Sequence, residues 1–410
     1  MTSTTIFVVG VFFIGGIMLL SAALIILTSL ILSQILIKLR LPGIIGMLLS
    51  GIILGPFVLN LIDPSILNLS TDLRQVALIV ILVRAGLSLD LEDLKKVGRP
   101  AILMAFVPAT IELLAITFLA PIFFGISYLE ALILGAIVAA VSPAVVVPRM
   151  IKLMESKYGT EKKVPQLILA GASIDDVFVI VLFASFIQAY QTSTFSILNI
   201  LLVPVSILLG ILLGILSGII LIWLFKIFHI RDTLKVLILF SVAFLFIVIE
   251  HELSTFIPIS GLVAVITLGG TILKKYEILA KRLVGKFEKI WVIAEIMLFV
   301  LVGAAVNITV LVNAGLFSIM LIFIAQVFRM IGVWIALIKT NFNKKEKLFI
   351  AISYTPKATV QAAIGAIPLS LGIASGNLIL TIAVLAIVIT APIGAILMDK
   401  TYKKLLVLEK

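Results

Sequence analysis

The sequence predicts an all-α polytopic membrane protein with thirteen transmembrane helices, and three observations carry that reading. The 410 residues are 62% hydrophobic and only 12% charged. Apolar runs repeatedly exceed the roughly 20 residues that a spanning helix needs, which no soluble fold sustains. The basic residues gather in every second loop, which fixes the number of crossings between them. Cysteine is absent, excluding a disulfide framework and a thiolate metal site. No charged segment precedes the first apolar run and no small-residue cleavage site follows it, so that run reads as the first span.

In order, the apolar runs place spans at roughly 6–38, 43–61, 75–89, 98–124, 128–149, 165–190, 195–226, 234–250, 258–273, 287–306, 310–338, 347–371 and 375–398. Span 1 is long enough to kink or to begin as an interfacial segment. Lys38 and Arg40 follow it, and Lys95, Lys96 and Arg99 follow span 3. Arg149, Lys152, Lys157, Lys162 and Lys163 follow span 5; Lys226, Arg231 and Lys235 follow span 7. Lys274, Lys275, Lys281, Arg282, Lys286 and Lys289 follow span 9, and Lys339, Lys344, Lys345 and Lys347 follow span 11. Lys400, Lys403, Lys404 and Lys410 close the chain, while the alternate loops carry only Arg74. The C-terminus is therefore expected in the cytoplasm and the N-terminus outside. The formal net charge of +11 is this cytoplasmic rim and does not point to nucleic acid.

Very few charges remain inside spans. The cations are Arg84, Arg329 and Lys357; the acids are Glu112, Asp175, Asp176 and Glu295, with Glu130 and Glu250 nearer the ends. Arg84 lies within snorkelling reach of the cytoplasmic end of span 3. Asp175 and Asp176 are adjacent in an otherwise apolar run. One unpaired carboxylate in hydrocarbon costs about 2.5–3.5 kcal/mol on the mildest scale, so two demand fixed cations or a transported one.

Two spans are broken by proline. Span 5 contains Ser142-Pro143 and Pro148; span 12 contains Pro356-Lys357, then Gly365 and Pro368. Proline frees a backbone carbonyl, which hydrocarbon tolerates only where neighbours or a cavity satisfy it. Interrupted helices in matching positions of two halves point to a midplane transport site. Spans 5 and 12 are seven apart, as are the charged spans 4 and 11. Spans 1–6 and 8–13 then form two inverted six-helix repeats, with span 7 as the link.

These residues resemble a known family. The strings Leu82–Leu89, Gly135–Pro148, Ala172–Asp176 and Pro356–Gly365 are similar to the cation/proton antiporter superfamily, most closely its NHA branch of sodium/proton antiporters. The resemblance covers about Leu41 to Ile393, and the last string is specific to that branch. It implies a homodimer in which residues 1–91 and 234–306 form a dimerisation domain. Residues 98–190 and 310–398 would form a mobile core, with 195–226 a linker helix and 399–410 a cytoplasmic tail. It also implies that Asp175 and Asp176 are the double-aspartate motif, the second binding cation and proton. Ser142 with Pro143, and Pro356 with Lys357, match the two unwound crossovers. Arg329 matches a position where electrogenic relatives carry a titratable lysine, and Glu112 an acid that pairs with it. The branch often has an acid after Gly303-Ala304; here Ala305 stands there.

Elementary chemistry supplies a mechanism. Adjacent helical residues point about 100° apart, so one aspartate can face the crossover and the other a neighbour. The balance between desolvation and nearby cations sets whether Asp176 holds a proton. Na⁺ and Li⁺ are hard cations suited to carboxylate, hydroxyl and carbonyl oxygens, so Asp176, Asp175 and Ser142 are the expected ion ligands. Lys357, Arg329 and Glu112 organise the site. Three acids against two bases leave one net negative charge, and arginine cannot release a proton. Electroneutral one-for-one Na⁺(Li⁺)/H⁺ exchange follows, unless Lys357 carries a second proton.

Other readings remain open at this level. The acids also fit a structural salt-bridge network, and Arg329 with Glu112 a permanent structural pair. K⁺/H⁺ exchange, a sodium-coupled symporter and a channel use related scaffolds. Glu295 is expected to pair within the dimerisation domain, and His229 and His251 are ordinary interface residues. No Gly-rich phosphate loop, metal cluster or nucleophile triad is visible, so neither an enzyme nor a cofactor is expected. The expected setting is a prokaryotic cell membrane, multi-pass and in contact with lipid, with a role in pH homeostasis.

Overall fold

The computed structural model describes residues 18–88, 98–191, 197–228, 230–253 and 259–409. The predicted features at 6–17, Lys95, Lys96, His229, the side chain of His251 and Lys410 lie outside the described residues. Among those described there are seventeen helices and no strand. The chain opens with α1 (Met18–Lys38), α2 (Gly43–Leu54), the short α3 (Pro64–Asn68) and α4 (Ser70–Ser88). Next come α5 (Arg99–Phe124), α6 (Tyr128–Ala139), α7 (Pro143–Glu155), α8 (Val164–Gln191) and α9 (Ile197–Ile227). The second half holds α10 (Asp232–Leu253), α11 (Gly261–Lys275), α12 (Glu277–Ala304) and α13 (Ile308–Ala336). It closes with α14 (Lys344–Ser353), α15 (Thr359–Ile364), α16 (Ile367–Ser370) and α17 (Gly376–Leu405).

Among the described residues, eight helical stretches, with α6 and α7 counted as one, are long and apolar enough to cross a membrane. The chain is thus a polytopic helical membrane protein. Three boundaries differ from the sequence reading. Arg74, expected in an outer loop, lies buried inside α4, where Nε donates to the Ser70 carbonyl at 3.1 Å. Helix α12 begins at Glu277 rather than at 287. Its early turns bury Leu279, Ala280, Leu283 and Phe287 on one stripe, while Lys281 pairs with Glu277 at 2.5 Å on the exposed side. The charged face had hidden that stripe from a hydropathy reading. Span 12 is not one helix but α14, α15 and α16 in succession.

Both interrupted helices start the same way. Ser127 and Glu130 form a capping box at α6, and Asn343 and Glu346 form another at α14. Each box satisfies two orphan backbone donors reciprocally. Glu130 also accepts from the Ser375 amide at 3.2 Å, tying α6 to the start of α17. The packing that positions the site is α5 against α13, with α6 and α8 also against α5 and α17 against α13 and α14. Gly332 makes the α5–α13 approach possible: a Cβ there would lie 2.7 Å from Pro108 Cα. On the other side, α4 packs against α11 and α12, and α9 against α11. Near the C-terminal end of α4, Arg84 faces Glu288 of α12 at 3.5 Å, and Glu295 lies half-buried further along α12.

Candidate functional site

The two helix breaks meet. Helix α6 ends at Ala139, Ala140 to Ser142 run extended, and α7 restarts with Pro143 in its first turn, where the missing amide is harmless. The second break runs from Tyr354 to Ala358, between α14 and α15, and contains Pro356 and Lys357. The Ser142 amide donates to the Pro356 carbonyl at 2.8 Å, so the two unwound stretches are joined through backbone. The Lys357 amide donates to Thr390 Oγ1 of α17 at 2.9 Å. Gly394, one turn further along α17, leaves room for this stretch: a Cβ there would fall 2.6 Å from the Pro356 ring.

Arg329 on α13 is the hub and is fully buried. Its Nε donates to the Tyr354 carbonyl at 2.6 Å, at the end of α14. One terminal nitrogen donates to Glu112 Oε2 at 2.7 Å and also to the Ala139 carbonyl at the end of α6. The other donates to Asp175 Oδ2 at 2.8 Å. A guanidinium thereby serves the carbonyl ends of two broken helices, where a cation is favoured, and two carboxylates at once. Lys357 Nζ reaches the same Glu112 oxygen at 2.6 Å. Asp175 Oδ2 also accepts from the Val141 amide at 2.8 Å, which ties α8 to the first break.

Asp176 is placed differently. It is half-buried, has no ion-pair partner among the described residues, and its Oδ1 has no hydrogen-bond partner. It lines a cavity of about 20 Å³ together with Leu78 and Leu82 of α4, Ile180 of α8 and Thr359 and Val360 of α15. That volume holds about one water-sized particle. The structure therefore brings Glu112, Asp175, Arg329 and Lys357 into one contact network and leaves Asp176 beside it. Three carboxylates and two cations give the cluster a formal charge of −1. Several buried oxygens nearby lack a donor: Ser142 Oγ, Glu112 Oε1, Asp175 Oδ1, Thr359 Oγ1 and Gln361 Oε1. Oxygen acceptors without donors suit a hard cation or a protonated group.

Residues 4–399 match the family described as sodium/hydrogen exchanger, transmembrane. Sodium/hydrogen exchanger 9B2 of Mus musculus is 34% identical over 377 residues, covering 87% of this chain and 67% of that protein. The Homo sapiens 9B2 protein is 33% identical over 389 residues, 89% of this chain and 70% of that one. This chain belongs to the sodium/hydrogen exchanger family. The exchanger is a transporter and not an enzyme, and its membership of the cation/proton antiporter superfamily stands as its residues implied. Its fold is shared with the sodium proton antiporter MjNhaP1 from Methanocaldococcus jannaschii, solved at pH 8. The TM-score is 0.79 at 22% identity, over 94% of the exchanger and 97% of that chain.

Several residues of the exchanger's site escaped the sequence reading. Gln361 Nε2 donates to the carbonyls of Ile137 at 3.0 Å and Ala140 at 3.1 Å, closing the end of α6. Gln326, one turn before Arg329, donates to the Thr355 carbonyl at 3.1 Å. Thr390 holds Lys357, and Tyr354 is fully buried beneath the guanidinium. Their signal was a polar side chain inside an apolar span, weaker than a charge but of the same kind.

Proposed function

We propose that the protein is a secondary active Na⁺(Li⁺)/H⁺ antiporter in which cation and proton compete for Asp176. The observation that carries this reading is the contrast between the two aspartates. Asp175 is held by Arg329 and the Val141 amide, whereas Asp176 faces a small cavity with an unsatisfied oxygen. A residue fixed by two charge-assisted bonds is a poor exchange site; one with open valences is a good one. Na⁺ or Li⁺ would bind Asp176 with help from Ser142 and Asp175, while Lys357, Arg329 and Glu112 hold the crossovers together. Pro143 and Pro356 keep the backbone open there.

Either one Na⁺ or one H⁺ cancels the formal charge of −1, which supports electroneutral one-for-one exchange. On this reading the chain has thirteen spans in two inverted repeats, with its N-terminus outside and its C-terminus in the cytoplasm of a cell-membrane homodimer. A core of α5–α8 and α13–α17 alternates access against the remaining helices.

The test is internal pH recorded in proteoliposomes after a NaCl, LiCl or KCl pulse, with and without a valinomycin/K⁺ clamp for the Na⁺ and Li⁺ runs. Asp176→Asn runs in parallel. A Na⁺- or Li⁺-driven pH change, insensitive to potential and lost in the variant, is the expected result. Cation-driven proton movement that survives in Asp176→Asn removes Asp176 as the carrier. Its absence from the unsubstituted protein refutes the antiporter reading.

A further inference from the structure

Resting on the antiporter reading above, we propose that Thr359 is a ligand of the transported cation, contributed by the second broken helix, and sets cation selectivity. Buried threonines in the helices of this protein share one solution for their hydroxyl. Thr117, Thr271, Thr381 and Thr390 each donate to the carbonyl four residues earlier, at 2.6 to 2.8 Å. Thr359 is as buried as these, at 2% exposure, yet its Oγ1 has no partner. The helix break is the reason. The residue four positions before it, Thr355, lies in the unwound stretch, and the Thr355 carbonyl is taken by Gln326. An unsatisfied buried hydroxyl costs on the order of 1–3 kcal/mol.

Thr359 lines the same 20 Å³ cavity as Asp176, and Ser142 Oγ on the first break is equally unpartnered and buried. Each break thus carries an unpartnered hydroxyl, and Thr359 at the second shares a cavity with Asp176. A cavity that holds about one water cannot admit a cation with its full hydration shell, so protein oxygens must replace the lost water. Of Ser142 and Thr359, Thr359 is the one that lines the cavity. Its β-branch restricts the rotamer choice, which stiffens the donor set and makes its fit sensitive to ion radius.

The experiment compares Thr359→Val, Thr359→Ser and Asp176→Asn with the unsubstituted protein in proteoliposomes, measuring KM and maximal rate for Na⁺, Li⁺ and K⁺. Thr359→Val is isosteric and removes only the hydroxyl. It should raise the KM for Na⁺ by roughly 10- to 100-fold, the size of a lost bond to a charged group. The maximal rate should stay within about twofold and the Li⁺/Na⁺ preference should shift. Thr359→Ser should keep the KM within about twofold. Thermal stabilisation of the purified protein by Na⁺ gives a second readout: it should weaken in Thr359→Val, be lost in Asp176→Asn and persist in Thr359→Ser. If Thr359→Val cannot be purified folded, Thr359→Ala is measured in its place.

An unchanged KM and an unchanged Li⁺/Na⁺ ratio in Thr359→Val overturn the inference. Equal impairment of the valine and serine variants also overturns it, because serine keeps the hydroxyl and its loss could then not be the cause. Exchange that persists in Asp176→Asn refutes the assignment of the carrier, a failure separate from that of Thr359. No exchange and no Na⁺ stabilisation in the unsubstituted protein overturn both.

Discussion

Replacing Arg329 by glutamine should destabilise the fold more than can be explained by lost contacts, and removing Glu112 as well should recover part of the loss. Arg329 is fully buried and donates to Glu112 at 2.7 Å and Asp175 at 2.8 Å. Without it, Glu112, Asp175 and Asp176 face Lys357 alone, and the formal charge moves from −1 to −2. Opposite charges about 4 Å apart attract by roughly 4 kcal/mol at an effective dielectric of 20. Removing one member of a buried pair costs about 3–5 kcal/mol, because the partner charge is left uncompensated. The Tyr354 and Ala139 carbonyls also lose their donor, at about 1 kcal/mol each. Adding Glu112→Gln returns the charge to −1 and leaves Lys357 a neutral acceptor. The double variant should therefore be more stable than the sum of the single losses by about 1–3 kcal/mol, the usual range for coupled neighbours. Thermal unfolding of the four proteins in one detergent, at fixed pH and salt, measures it. Additive losses would refute the description of these residues as one charge-balanced unit.

Two further outcomes follow from the same charges. If a proton and Na⁺ compete for one carboxylate, as proposed, the KM for Na⁺ in proteoliposomes should rise as the pH falls, by at most roughly tenfold per unit; a KM independent of pH between 6 and 9 would contradict competition. Arg329→Lys keeps the formal charge at −1 but places a group that can release a proton beside Asp175, so exchange should become sensitive to membrane potential; unchanged insensitivity under the valinomycin clamp would separate stoichiometry from this position.

What could be read from the sequence was whatever an apolar background makes conspicuous. Glu112, Asp175, Asp176, Arg329 and Lys357 stand out because charge inside a span is rare. Pro143 and Pro356 stand out because proline interrupts a helix ladder. The two capping boxes, Ser127 to Glu130 and Asn343 to Glu346, carry a helix-start spacing, but the sequence reading rests on charge and proline, and it is the structure that shows them closed. Partner choice was not legible. That Lys357 reaches Glu112, 245 positions away, is a property of how α5, α13 and the second break pack. The carbonyls of Ala139 and Tyr354 carry half of the Arg329 contacts, and backbone carbonyls leave no mark in a sequence. Helix α12 shows the opposite failure. Its buried stripe was present all along, masked by Lys281, Arg282, Lys286 and Lys289 on the outer faces.

The arrangement of partners also explains why exchange would be obligatory on the proposed reading. Glu112 and Asp175 are matched by Arg329 and Lys357, so these four residues sum to zero and are linked by three contacts of 2.6 to 2.8 Å. They can travel as one neutral body, joined to both breaks through the Val141 amide and the Ser142–Pro356 backbone bond. The remaining charge belongs to Asp176, which borders Leu78 and Leu82 on α4. Sliding an ionised Asp176 past that apolar wall costs at least about 2.5–3.5 kcal/mol on the mildest scale. At 1.4 kcal/mol per factor of ten, the unloaded site crosses roughly 60- to 300-fold more slowly than the neutral one. A bound Na⁺ or a proton removes the penalty equally well. On that reading the apolar side chains of α4 enforce coupling together with the carboxylate, because a polar wall would let the empty carrier return.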